Sequence, residues 1–136
     1  MLDTSVLLRF LVHHPDAEQP AADDLLGSWL RGEVVLVLLD LSVYECVNVM
    51  VRRMRMEADE VAAVVRRLFD LGFSMRHVGE PLAVGTARLA ATTALSGYDA
   101  AFVALADDLE APLITADRRL AEEAGDSAVL LTDLGG

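Results

Sequence analysis

The chain has 136 residues, enough for one domain with a buried core and little room for a second. Its 54% apolar content and mean hydropathy of +0.39 are high for a soluble domain, yet the longest apolar runs, 34–39 and 100–106, fall far short of the ~18–20 residues that span a bilayer, and no signal-peptide pattern opens the chain. A formal charge of −11, from 22 acids and 11 bases, excludes the broad attraction to nucleic acid of a basic protein; all the bases are arginine, which excludes any mechanism needing a lysine ammonium.

In chain order the periodicities alternate between short apolar runs and helical stretches, the pattern of an α/β fold with a parallel sheet between helices. Leu2 opens a short strand ending at Asp3, and Thr4 to Val12 follows as a helix, broken by His13-His14-Pro15. Asp16 to Arg31 reads as a second helix, with Gly32 placed for a left-handed C-terminal residue. Val34 to Leu38 is a valine-rich buried strand, and Ser42 to Arg55 and Glu57 to Leu71 are helices, the latter ended by Gly72. Phe73 to Val78 reads as a strand, Glu80 to Thr93 and Ser96 to Leu109 as helices, Pro112 to Thr115 as a strand, Asp117 to Ala124 as a helix and Ala128 to Leu131 as the last strand. The expectation is therefore five strands and about seven helices in a single domain spanning 1–136. The one cysteine, Cys46, allows no intrachain disulfide and sits beside Val47 and Val49 as a buried thiol would; a reducing cytoplasm is the simplest setting.

Four acids stand out by position. Asp3 and Asp117 each follow a strand, the end of an open parallel sheet where ligands bind. Asp99 opens a helix, Ala100 to Ala106, that is apolar on every side and so must be buried. Glu45 lies on a mostly apolar helix, where Glu45, Asn48, Arg52 and Arg55 recur at offsets of three, seven and ten as one narrow polar stripe. Taken singly, Asp3 and Asp117 would serve as helix N-caps, Asp99 would complete a capping box with Ser96, and Glu45 would be a solvated surface residue. Taken together they converge on one end of the sheet. Four gathered carboxylates repel unless a cation is present, and a hard divalent ion such as Mg2+ or Mn2+ suits oxygen ligands. Carboxylates holding such an ion hydrolyse phosphodiesters without a side-chain nucleophile, and the chain has neither a nucleophile elbow nor a Gly-rich phosphate loop.

Four segments, Leu2-Asp3-Thr4-Ser5-Val6-Leu7, Glu45-Cys46-Val47-Asn48-Val49, Tyr98-Asp99 through Ala106, and Pro112 through Leu120, resemble the four motifs of PIN domains, in the family's order. Within that family the chain looks like the VapC toxins of toxin–antitoxin pairs. The resemblance implies a three-layer sandwich of helices around a five-stranded parallel sheet, Mg2+- or Mn2+-dependent endoribonuclease activity, a homodimer and a cognate antitoxin. It makes Asp3, Glu45, Asp99 and Asp117 the metal-holding, catalytic acids, with Thr115 beside them and Ser5 and Asn48 in support. Only Met1 and Leu2 precede the first acid, fewer residues than family members carry and short for a central strand. Asp40 is an additional acid without an assigned place.

A phosphatase or receiver domain would also set acids at strand ends, but both use a lysine, and this chain has none. A non-catalytic PIN scaffold and a PIN nuclease without a toxin role remain the alternatives. Arg52 and Arg55 on the Glu45 stripe, and Arg118 after Asp117, are the candidate RNA phosphate contacts. The Val61, Val64, Val65 and Leu68 face of the Glu57 to Leu71 helix is either core or a groove for an antitoxin segment.

Overall fold

The computed structural model describes residues 1–135. Seven α-helices alternate with short parallel strands: α1 (Thr4–Leu11), α2 (Gln19–Leu30), β1 (Val37–Leu39), α3 (Leu41–Arg52), α4 (Ala58–Leu71), β2 (Ser74–Arg76), α5 (Glu80–Thr92), α6 (Gly97–Asp108), β3 (Leu113–Thr115), α7 (Arg118–Ala124) and β4 (Ala128–Leu130). No single described helix is long and apolar enough to cross a membrane.

The expected five-stranded sheet is not what forms. Two two-stranded parallel ladders are present, β1 with β2 and β3 with β4. The segment at Leu2 contributes an isolated parallel bridge to Ile114 instead of a strand. It is nevertheless held on both sides: the Leu2 N–H donates to the Val37 carbonyl at 3.0 Å, the Asp3 N–H to the Ile114 carbonyl at 2.9 Å, and the Ile114 N–H to the Met1 carbonyl at 2.8 Å. α1 starts immediately after Asp3, so the segment leaves the strand layer there.

Alternate residues of this strand layer divide between two cores. Leu2, Leu38 and Ile114 join the core under α1, α3 and α4, where Trp29 stacks on Phe73 at 4.2 Å. Met1, Leu39 and Leu113 join the other, where α6 supplies Ala100, Phe102, Val103 and Ala106. α6 is apolar on most sides because β3 covers one of its faces and α5, through Leu82, Leu89 and Ala90, packs against the same core.

Several boundaries move for local reasons. α2 starts at Gln19 instead of Asp16, because the Asp16 carboxylate accepts the Glu18 and Gln19 N–H groups in a turn. β1 lies three residues later than expected: Val35 is 82% exposed, and burial begins at Leu36. α4 ends where Gly72 adopts φ 74°, a left-handed conformation that glycine takes without strain. On α4, Val61, Val64 and Leu68 are buried and Val65 packs beside them in the first core, so this row is core and not an open groove.

Candidate active site

Asp3, Glu45, Asp99 and Asp117 arrive from four elements and line one cleft of about 500 Å³, with Thr4 and Ser5 among its other walls. Asp3 ends the bridging segment and caps α1, its carboxylate accepting from the Ser5 N–H. The hydroxyls of half-buried Ser5 and buried Thr115 both donate to Asp3 Oδ2, at 2.6 and 2.8 Å. The same two hydroxyls accept the Ala116 and Asp117 N–H groups at 2.9 and 3.0 Å. Ser5 and Thr115 thus fasten the start of α1 to the end of β3, and they fix the first and last acids relative to each other.

Asp117 caps α7 through the Leu120 N–H, 3.1 Å from Oδ1. Capping and facing the cleft are therefore not alternatives for Asp3 and Asp117; each does both. At α6 the cap is Ser96, which accepts the Asp99 N–H at 3.1 Å. The Asp99 carboxylate turns to Arg119 Nη2 at 3.1 Å, and the same nitrogen lies 3.7 Å from Asp117. Glu45 is held across the helix pair by the Thr4 hydroxyl at 2.8 Å.

Burial pushes the Asp3 carboxyl above its ordinary value, against the pull of the Ser5 and Thr115 hydrogen bonds. Glu45 is raised as well, by burial first and then by the charges of Asp3 and Asp99, with the Thr4 bond opposing. Burial is the largest cause of both shifts, and only Glu45 is raised further by neighbouring carboxylates. Behind Glu45, burial drives the Cys46 thiol up to about 12, so it is an inert part of the core.

The donor set consists of hard oxygens, the chemistry that Mg2+ and Mn2+ prefer. As the side chains stand, however, no three acidic, histidine or cysteine groups among the described residues are gathered closely enough to hold one ion. Two of the four acids are instead engaged by Arg119. The residues fit a divalent ion in kind, and their gathering around one would accompany its binding.

Asn48, Arg52, Arg55 and Arg118 do not line the cleft; Arg9, His14 and Arg53 do. On α3 the wall beyond Glu45 is the row four and eight residues on, Val49 and Arg53, which turns toward α1, whereas Asn48 and Arg52 turn outward. That row was visible in the sequence as a four-residue interval from Glu45, but its middle member is apolar, so a polar stripe passes over it. Thr4 and Arg119 carry no such pattern. Asp40 lies away from the cleft, paired with His77 at 3.1 Å.

Comparison with known proteins places the chain in a family. The PIN domain model matches residues 1–125. Exonuclease VapC9 of Pyrobaculum aerophilum is 28% identical over 120 residues, which are 88% of this chain and 81% of that protein. The crystal structure of PAE2754 from Pyrobaculum aerophilum matches with a TM-score of 0.68 at 22% identity, covering 98% of this chain and 89% of that one, a likeness of fold alone. Since the family match runs from the bridging segment through α7, and the fold agrees with it, the chain belongs to the PIN domain family.

Proposed function

We propose that this chain is a divalent-metal-dependent ribonuclease. The observation that carries the reading is the convergence of Asp3, Glu45, Asp99 and Asp117 on one cleft, with Asp3 raised by burial and Glu45 by burial and then by the charges of Asp3 and Asp99. These four acids would hold Mg2+ or Mn2+; when bound, the ion activates water and neutralises charge building on the phosphate. Ser5 and Thr115 orient Asp3, and Thr4 orients Glu45, so that the carboxylates are positioned before substrate arrives.

EDTA should abolish RNA cleavage and Mn2+ should restore it. Calorimetric titration of Mn2+ should show weakened binding in Asp99→Asn; equal binding in both proteins removes Asp99 from the site. The cut is internal in this reading, so a covalently closed circular RNA should be linearised. Survival of the circle beside degraded linear RNA would assign instead the exonuclease mode that the name of the Pyrobaculum relative carries.

The biological role proposed is that of a VapC-like toxin, a cytoplasmic homodimer neutralised by a cognate antitoxin. Support comes from the name of the relative. Co-expression with the neighbouring upstream gene should yield a complex with suppressed RNase activity; no complex and full activity would leave a nuclease without a toxin role. One observation favours a second reading, a non-catalytic scaffold: no three acids are gathered at ligand distance among the described residues. Failure to bind Mn2+ at all would favour that reading.

A further inference from the structure

The cleft does not end at the acids. Glu45, Val49 and Arg53 follow one another at four-residue intervals on α3 and its C-cap, and Thr4 and Leu8 do so on α1; all five line the cleft. Residues four apart stack along one helix face and advance ~6 Å per step. The two rows are tied together at the acid end by the Thr4–Glu45 hydrogen bond. They run from there toward Arg53, whose backbone stands ~12 Å along the axis from Glu45. The stretch between is apolar, formed by Leu8 and Val49 with Met54 beside them.

The two guanidinium groups on this part of the wall are not equivalent. Arg9 is committed internally: Nη2 bonds Asp16 at 2.7 Å and Glu18 at 3.3 Å, and Nη1 donates to the Ser5 carbonyl at 2.9 Å. Arg53 makes no ion pair with any described residue and is exposed at the helix end. In a cleft otherwise lined by four carboxylates, it is the uncommitted positive charge.

We infer that this far end of the cleft is a nucleotide subsite, in which Arg53 holds a backbone phosphate next to the scissile one and the Leu8, Val49 and Met54 surface receives the intervening base. The inference rests on the ribonuclease reading above. A base reaches the seam between α1 and α3 only when it is out of a duplex stack, so the subsite selects single-stranded RNA.

The test is binding of a fluorescein-labelled single-stranded RNA dodecamer, followed by anisotropy in Ca2+ over a range of salt, with the RNA checked on a gel for integrity. Arg53→Gln should weaken binding several-fold and flatten the salt slope by ~0.7, one single-strand phosphate contact. Arg53→Lys should restore most of that slope, and the Arg52→Gln/Arg55→Gln double variant should change it less than Arg53→Gln does. A hairpin duplex of the same length should bind the wild type more weakly and be indifferent to Arg53→Gln. Unchanged affinity and slope in Arg53→Gln, or equal loss on duplex and single strand, overturns the subsite while leaving the nuclease reading intact. Failure of the wild type to bind the dodecamer at all overturns both.

Discussion

Asp3 is stabilised by its hydrogen bonds and destabilised by its burial, and burial wins. Its carboxyl is therefore raised in the folded protein, and between the unfolded and folded pKa values the folded state binds more protons than the unfolded one. Stability then falls as pH rises through that window, the reverse of an ion-paired aspartate. Glu45 adds to the same slope. Metal-free protein should thus melt at a lower temperature at neutral pH than just above the ordinary carboxyl range. Asp3→Asn, which retains a capping oxygen for Ser5, should remove part of that slope and raise Tm by a few degrees at neutral pH while abolishing cleavage. A pH-independent Tm in EDTA would show that the acids are not strained. Arg119 is the residue that partly offsets this crowding, reaching Asp99, Asp117 and Glu123 from a side chain that is still 58% exposed. Since an exposed ion pair holds weakly, a divalent ion should displace it. Arg119→Gln should then bind Mn2+ several-fold more tightly by calorimetry; weaker binding would mean that Arg119 holds the acids in place for the ion.

At the scale of elements, the bridging segment does more than its length suggests. Leu2 is fully buried between β1 and β3, and its neighbour Asp3 takes its position from that docking. Leu2→Ala should cost about 2–5 kcal/mol of stability, as truncation of a buried leucine does. It should also lower kcat of the remaining folded protein, because the first acid loses its anchor; an unchanged kcat would show that the Ser5 and Thr115 hydrogen bonds suffice. The sequence order of helices and strands was legible because each change of element is marked by residues with a mechanical reason: Gly72 after α4, Ser96 before α6, Asp117 before α7. The placing of Asp3 and Asp117 on one side was legible for a related reason, since strand ends in a parallel layer all face one side, whereas Glu45 and Asp99 reach the cleft from helices. What could not be read was how few residues would pair. β1 begins at Val37 although the valine-rich run starts at Val34, and propensity is silent about which part of such a run meets a neighbour. The four-residue interval from Glu45 to Arg53 was legible, but the choice between the adjacent arginines at 52 and 53 was not, because it depends on which side of α3 faces α1.

At the scale of the whole molecule, the proposed ribonuclease, with a net charge of −11, would have to bring a polyanion to an acidic cleft. The long-range field of such a chain repels RNA, and only short-range contacts such as the one proposed at Arg53 would attract it. These two terms separate by their distance dependence. The screening length falls from ~30 Å to ~10 Å as salt rises from ~0.01 M to ~0.1 M, which removes long-range repulsion before it weakens a contact ion pair. The association rate of single-stranded RNA should therefore rise with salt over this interval, opposite to the fall seen when a basic protein steers nucleic acid to itself. The dissociation rate should rise as well, because the phosphate contact is screened at close range, so the equilibrium constant should change less than either rate. Stopped-flow anisotropy at several salt concentrations, with fixed Ca2+, measures both rates separately. An association rate that falls with salt would show that the arginines near the cleft govern the approach despite the net charge, and that the encounter is steered locally from the outset.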